Sequence, residues 1–389
     1  MEQLVTSDFK LGIIAGGQLG KMLALAASQW DVKTYVLDSD PHCPASNVCT
    51  RLIHGDYRDS DAVYEFGRQV DMVTFEIEHV NVEALRKLKR EGKRVCPDPD
   101  VLAMIQDKGR QKQFFQQQSI PTPAFMLYED RGQILRAVAE GRLEIPFVQK
   151  ARTAGYDGKG VIIVRDRDDL SRLLDTASVV EDAIDVKKEL SVIVARNHSG
   201  QITCFPLVEM LFNADANLVE MLVSPAQVDT DIECRAAELA CRIIETLDLQ
   251  GVLAVEMFLD RSGVLWINEV APRPHNSGHH TIECTVTSQY EQHLRAIFNF
   301  PLGSTELKWP SVMLNLLGDS GHEGPVRYEG LTESMGIPGV KVHIYGKRKT
   351  WPFRKMGHVT VEAATIDQAK VNAAQVQQIL RVKSWQDRK

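Results

Sequence analysis

Two acidic residues stand where acids are costly. Glu256 lies in "GVLAVEMFLD" and Glu269 in "GVLWINEV", two otherwise apolar stretches joined by Asp-Arg-Ser-Gly. Apolar runs on either side of such a turn read as a β-hairpin. If Asp260 pairs with Gly263, then Glu256 faces Ile267, Glu269 faces Ala254, and the two acids are diagonal neighbours on one face. An unpaired carboxylate inside apolar strands is unfavourable. A bound divalent cation answers both the burial and the mutual repulsion. Oxygen ligands alone favour Mg²⁺ held together with substrate phosphates. Salt bridges to arginines such as Arg273 are the structural alternative. Asn268, beside Glu269, points to the opposite face under strict alternation, so a place at this site requires a local bulge.

A second cluster lies upstream. The stretch "RTAGYDGKG" spans 152–160 between the apolar runs "IPFVQK" and "VIIV". A tight turn needs one or two glycines, and this tip has three, Gly155, Gly158 and Gly160, with Lys159 among them. Bare backbone lets N–H groups close over phosphates, and Lys159 adds charge. Lys150 stands on the entering strand and Lys108 on an earlier helix. Glu181 and Glu189 follow across a short break between strands, where acceptors suit an adenine amino group and a ribose hydroxyl. Taken singly, each lysine reads as a solvated surface charge. Taken in order, they form one site with the two downstream carboxylates.

A third candidate is "AGGQLG", residues 15–20, between a strand and a helix, with Asp38 at the end of the next strand. It nearly fits the dinucleotide fingerprint, with Ala15 in place of the first glycine. Helix N-termini attract anions. A dinucleotide, another phosphate or polar ligand, and a purely structural turn all remain open here.

These residues need elements to hold them. "KLGIIA", "VKTYVLD" and "DMVTFEIEHV" read as strands alternating with helices, so residues 1–106 form a small doubly wound parallel sheet. A single helix is expected over "VLAMIQDKGRQKQFFQQQS". Residues 107–195 then hold a linker and a small α+β lid unit with the glycine loop, including "ASVVEDAI" and "ELSVIVARN" as strands. Residues 196–389 carry the carboxylate hairpin and a mixed, β-rich tail ending in a helix from Ile366. The expected class is therefore α/β and α+β in three domains.

Bulk properties limit the function. The 389 residues carry a net charge of -7, so no global basic field exists to hold a nucleic-acid backbone. Hydrophobic content of 44% and charged content of 25% are those of an ordinary globular protein. No apolar run has the length of a membrane span. The 7 cysteines form no Cys-x-x-Cys pair and suggest reduced thiols in a cytosol.

The order of lysine, lysine with glycine loop, paired acids and metal acids resembles the ATP-grasp superfamily, in which a glycine-loop lid closes ATP against a carboxylate-bearing sheet. That pattern often has an asparagine two residues after the second metal glutamate. Ala271 stands there, which removes that third ligand. The stretches "GGQLGKM", "TFEIEHV", "TAGYDGKG", "NEVAPRPHNSGHHT" and "RKMGH" narrow the resemblance to the 5-(carboxyamino)imidazole ribonucleotide synthase family, over about residues 10–380.

This resemblance implies conversion of ATP, bicarbonate and 5-aminoimidazole ribonucleotide to the N-carboxylated ribonucleotide, ADP and phosphate, in purine biosynthesis. It implies that Lys108, Lys150, the loop glycines, Glu181, Glu189 and Asn268 bind ATP, while Glu256 and Glu269 hold Mg²⁺. Gln18 and Glu76 would bind the ribonucleotide, with Lys347 and Arg354 on its phosphate. Tyr156, Lys159, Arg273, His275 and Asn276 would surround bicarbonate and the reacting amine, in a cytoplasmic homodimer. His279 and His280 receive no role. Two positions depart from the family pattern: Lys21 replaces a common arginine, and Trp351-Pro352-Phe353 precedes Arg354 where a glycine is usual. A nicotinamide dehydrogenase built on the first glycine turn would leave Lys150, Glu256 and Glu269 without a task. A formate-using glycinamide ribonucleotide transformylase shares the nucleotide residues, but "HNSGHHT" and "RKMGH" speak against it. Intact Lys108, Lys150, Glu256 and Glu269 speak against a silent nucleotide-binding module.

Overall fold

The computed structural model describes residues 7–153, 155, 160–213 and 218–385. Tyr156, Gly158 and Lys159 therefore lie outside the described residues.

The N-terminal sheet is parallel and five-stranded, in the order Arg51–His54, Lys33–Asp38, Lys10–Ile14, Met72–Phe75, Arg94–Val95. Its central strands are covered on both faces, so they read as unbroken apolar runs: Leu11, Ile13, Ile14, Val36, Val73 and Phe75 have no exposed surface. Strand order reverses between Lys10–Ile14 and Met72–Phe75, and the crevice at their C-terminal ends is where such sheets bind ligands. Gly17 and Glu76 leave those two strands into that crevice. The two edge strands were not anticipated, because four and two residues are too short to show a period.

The expected long helix is two helices, Pro99–Ile105 and Lys108–Gln117. Asp107 divides them. Its Oδ1 accepts the N–H groups of Gly109 and Arg110 at 2.8 and 3.3 Å, a side-chain cap that competes with continued helix. Lys108 is thereby fixed as the first residue of a new helix. The lid unit is an antiparallel sheet in the order Phe125–Tyr128, Ser178–Asp182, Phe147–Ala151, Val161–Val164, covered by the helix Arg131–Ala139.

The large sheet has nine strands. Its path runs Leu265–Ala271, Gly251–Asp260, Val186–Arg196, Val208–Asn213, Leu218–Ser224, Ser311–Leu317, Lys355–Glu362, Val340–Ile344, with Ile202–Cys204 beside Val186–Arg196. Val186–Arg196, expected in the lid unit, thus belongs to this sheet, and the lid sheet ends at Asp182. The sheet's two faces differ. Leu190, Val192, Val194, Val255 and Met257 pack against the helix Thr230–Thr246, which presents Ile232, Ala236, Ala240, Ile243 and Ile244 at helical spacing. Each fully buried isoleucine on that seam contributes roughly 1.5–3 kcal/mol. Glu189, Ser191 and Glu256 alternate onto the other face. The helix Ile366–Ile379 covers the C-terminal strands, starting where the sequence predicted.

Candidate active site

The carboxylate hairpin differs from expectation in its register. Leu259 pairs with Leu265 and Met257 with Ile267, and the Asp260 N–H donates to the Val264 carbonyl. The loop is one residue longer than the tetrad suggested, because the Asp260 side chain holds it. Its Oδ1 accepts the N–H groups of Ser262 and Val264, each at 2.9 Å, and its Oδ2 accepts from Trp266 Nε1 at 2.9 Å. A second shift follows between Met257 and Glu256, leaving Asn268 as the extra residue of a bulge. Glu256 and Glu269 are consequently direct cross-strand partners, not diagonal ones. The bulge required for Asn268 exists, and its Nδ2 lies 3.4 Å from Glu256 Oε2.

The upstream lysines converge on this hairpin. Lys108 ion-pairs Glu269. Lys150 Nζ donates to Asn268 Oδ1 at 2.7 Å and pairs with Glu181 at 2.8 Å. Glu181 is 2% exposed and holds a second cation, Lys112, at 3.0 Å. Burial alone would raise the Glu181 carboxyl, but Lys150 and Lys112 hold it below the usual range. Lys112 was not singled out in the sequence. The signal was there: it stands four residues after Lys108, on the same face of one helix.

The two hairpin acids ionise unequally. Burial raises Glu256, and the charge of Glu269 raises it further. Burial acts on Glu269 too, but Lys108 overrides it and keeps the carboxylate charged. Glu189, half-buried on the neighbouring strand, is raised by burial to about 7. Among the described residues no cluster of three or more His, Cys, Asp or Glu is preassembled for a metal. Two facing carboxylates therefore fit an ion that completes its shell with phosphate oxygens and water.

The loop after the hairpin brings a second group to the same face. His275 Nε2 lies 3.4 Å from Glu256 Oε1, while its Nδ1 accepts the Ser277 N–H at 3.3 Å. Gln289 clamps the loop by accepting from the His275 N–H and donating to its carbonyl, at 2.8 and 2.7 Å. The Asn276 amide is buried, and neither its nitrogen nor its oxygen has a partner among the described residues. Arg273 pairs with Glu78 of the parallel domain at 2.6 Å, a partner the sequence reading did not name.

In the parallel domain the first glycine turn is resolved. Glu76 Oε1 and Oε2 accept the N–H groups of Gly17 and Gly20 at 2.8 and 3.0 Å. Asp38 Oδ2 accepts from Gly16 at 2.7 Å and Oδ1 from Asp40 at 2.8 Å. The helix N-terminus that a pyrophosphate would occupy is filled by the Glu76 carboxylate, and both Asp38 oxygens already accept backbone N–H groups of this turn. The dinucleotide reading is therefore corrected. Burial raises Glu76 to about 7 against the pull of those two N–H groups. Gln18 opens the same helix, Gln18–Ser28.

Lys347 lies in the loop after the strand Val340–Ile344, Arg354 directly precedes the strand Lys355–Glu362, and backbone carbonyls hold both. Lys347 Nζ donates to the Lys355 carbonyl at 2.7 Å, and the Arg354 guanidinium donates to the Lys349 carbonyl at 2.5 Å while lying 3.8 Å above the Trp351 ring. Lys21 ties this region to the parallel domain by donating to the carbonyls of Ile344 and Tyr345 at 2.8 and 3.3 Å. Phe353 adopts φ 65°, the left-handed conformation that favours glycine, so a glycine would fit this position without the strain that Phe353 bears. His279 and His280 are buried at 0% and 1%. His279 Nδ1 is 2.9 Å from the Tyr290 hydroxyl, and its ring stacks 4.5 Å from His358.

Three family models match in series: a ribonucleotide synthetase preATP-grasp domain over residues 9–106, an ATP-grasp domain over 113–290, and a phosphoribosylaminoimidazole carboxylase C-terminal domain over 311–372. The chain is 36% identical to the N5-carboxyaminoimidazole ribonucleotide synthase of Bacillus subtilis, covering 92% of this chain and 93% of that protein. It is 38% identical to the chloroplastic phosphoribosylaminoimidazole carboxylase of Vigna aconitifolia, spanning 94% of this chain and 66% of that longer protein. The crystal structure of N5-carboxyaminoimidazole ribonucleotide synthetase from Thermotoga maritima is similar at a TM-score of 0.89 and 41% identity, covering 97% of this chain and 100% of that one. The Aspergillus clavatus synthase in complex with ADP and 5-aminoimidazole ribonucleotide is similar at a TM-score of 0.88 and 30% identity, covering 96% and 99%. A parallel domain closed by its own carboxylate, a lysine-clamped carboxylate hairpin and three consecutive domain matches together make this chain a member of the N5-carboxyaminoimidazole ribonucleotide synthase family of ATP-grasp ligases.

Proposed function

We propose that the protein joins bicarbonate to the exocyclic amine of 5-aminoimidazole ribonucleotide at the expense of ATP, releasing ADP and phosphate. One observation carries this reading: His275 Nε2 meets Glu256 Oε1 at 3.4 Å, joining the loop of Arg273 and Asn276 to the lysine-clamped carboxylates. A nucleotide held at Lys108, Lys150, Glu181, Glu189 and Asn268 then has its γ-phosphoryl beside the groups assigned to bicarbonate. Arg273, paired to Glu78, carries that place toward Gln18 and Glu76 in the parallel domain. Lys347 and Arg354 are suited to the ribonucleotide phosphate, and backbone carbonyls hold both side chains in place.

Bicarbonate is a poor electrophile. Phosphoryl transfer to it gives carboxyphosphate, whose carbon, or the CO₂ released from it, the amine captures. Such transfer depends on positioning and charge neutralisation. Lys108 and Lys150 supply fixed positive charge, and the Asn276 amide, buried without a partner among the described residues, is available to a small polar substrate. Glu256 and Glu269 would hold Mg²⁺, which supplies charge neutralisation at the phosphates when bound. Carboxyphosphate decays in water, so the glycine-loop lid, with Tyr156 and Lys159, serves to exclude solvent. The reading extends to a cytosolic homodimer. The 7 cysteines, all free, support a reducing compartment.

The test is ADP release from Mg-ATP and bicarbonate, with and without 5-aminoimidazole ribonucleotide. Strong dependence on both bicarbonate and ribonucleotide is expected. Release indifferent to the ribonucleotide would overturn the assigned acceptor.

A further inference from the structure

On the face of the large sheet away from the carboxylates, two cysteines meet. Cys204 ends the strand Ile202–Cys204, which pairs with Val194 of the neighbouring strand, and Cys241 lies on the helix Thr230–Thr246. Their sulfurs are 3.3 Å apart, and Cys204 Sγ also lies 3.8 Å from the Ala237 carbonyl, one helical turn before Cys241. Both side chains are half-buried. An open cleft of about 270 Å³, lined by Cys204, Phe205, Glu233 and Ala237 among others, leads to this contact. We propose that Cys204 and Cys241 are a modification site, a dithiol that a small-molecule disulfide oxidises reversibly to an intramolecular disulfide.

The other thiols set the contrast. Burial pushes Cys43, Cys96 and Cys284 up to about 12, 11 and 12, where thiolate is scarce and reactivity low. At the pair the two sulfurs separate in role. The contact between the two sulfurs holds Cys241 below the ordinary thiol range and, with burial, raises Cys204. Cys241 is then the attacking sulfur. Its thiolate displaces one thiolate from glutathione disulfide and forms a mixed disulfide. Cys204 gives its proton to solvent, attacks the Cys241 sulfur and expels the second glutathione thiolate. One protein S–S bond forms, one glutathione S–S bond breaks, and two electrons pass to two glutathione molecules.

The bond would staple the helix to the sheet across a separation of 37 residues, which restricts the unfolded chain. Glu189, Ser191 and Glu256 lie on the other face, so the staple leaves the nucleotide side in place.

The experiment incubates the full chain with glutathione disulfide. It reads intact mass, free thiols, non-reducing peptide maps and thermal unfolding, before and after dithiothreitol. The expected product has lost two hydrogens and two titratable thiols, and its map joins the Cys204 and Cys241 peptides. It unfolds a few degrees higher and turns over within about twofold of the reduced enzyme. Cys241→Ser abolishes the linked peptide, whereas Cys234→Ser, an exposed thiol on the same helix, retains it. A stable glutathione adduct on Cys241 of the unsubstituted chain, or a linked peptide that survives Cys241→Ser, would overturn the proposal.

Discussion

A carboxylate on an apolar strand is retained only when its charge is used, and the residues around the hairpin show how. Glu256 and Glu269 oppose each other directly, and Lys108 ion-pairs Glu269. Glu269→Gln keeps the shape and removes the charge. We expect it to lower Mg-dependent ADP formation by on the order of 100-fold or more, with the far-ultraviolet circular dichroism unchanged. Normal turnover in this variant would remove Glu269 from the metal role. Lys112 gives a different test, because it holds Glu181 through the second carboxylate oxygen, at 2% exposure. Removing Lys112 leaves the buried Glu181 carboxylate with Lys150 as its remaining ion-pair partner among the described residues. Lys112→Met should therefore destabilise by about 1–3 kcal/mol, and Lys112→Met with Glu181→Gln by less than the sum of the two single losses. Additive losses in urea unfolding would show that the two do not interact. Lys347→Ala should raise the KM for the ribonucleotide at least about tenfold, the value of one charge-assisted contact, with little change in the KM for ATP. Equal rises in both would take Lys347 out of the phosphate site.

At the scale of elements, what the sequence reveals depends on how local the cause is. The parallel domain was legible because its strands are buried on both faces and read as apolar runs. The hairpin was legible as a hairpin, but not its register. Asp260 takes up N–H groups of its own loop and lengthens it, and Asn268 bulges, and neither leaves a trace in alternation. Glu76 filling the turn at Gly17, 59 residues away, is beyond any local pattern. The break at Asp107 is of a third kind: an aspartate inside a helical run signals a cap, but only structure shows it used. That cap has a consequence. Asp107 also binds Arg152 at the base of the glycine loop, at 2.7 Å, so one side chain positions both Lys108 and the lid. Burial would raise its carboxyl, yet Arg152 and the capped N–H groups hold it low. Asp107→Ala should cost about 1–2 kcal/mol in stability and raise the KM for ATP several-fold. Asp107→Asn keeps the cap and loses the charge, so it should recover most of the stability but not the KM. If both variants match the native enzyme in ATP kinetics, the cap has no part in placing Lys108.

For the whole molecule, the face proposed to hold ATP gathers buried carboxylates that its lysines offset only in part, and global stability should register it. Glu189 shows this most cleanly. Burial raises its carboxyl from the ordinary 4.5 to about 7, and Lys150 offsets only part of that. Between those values the folded chain binds more protons at this site than the unfolded chain. The stability it contributes is therefore complete below pH 4.5 and is lost as pH rises through 7. Glu189→Gln is neutral at every pH and also relieves Glu256, which the Glu189 charge helps to raise. The variant without nucleotide should thus unfold at a higher temperature than the native enzyme at pH 8, by an amount equivalent to about 1–2 kcal/mol after allowing for partial solvent screening, and the gap should close toward pH 5. The same substitution should weaken ATP binding, since the strain in the empty site is what a nucleotide and its cation relieve. Thermal scans of both proteins from pH 5 to 8, without and with Mg-ATP, separate the two effects. A stability gap independent of pH would show that Glu189 is ionised throughout, and that the hairpin acids alone carry the electrostatic cost of the carboxylate face.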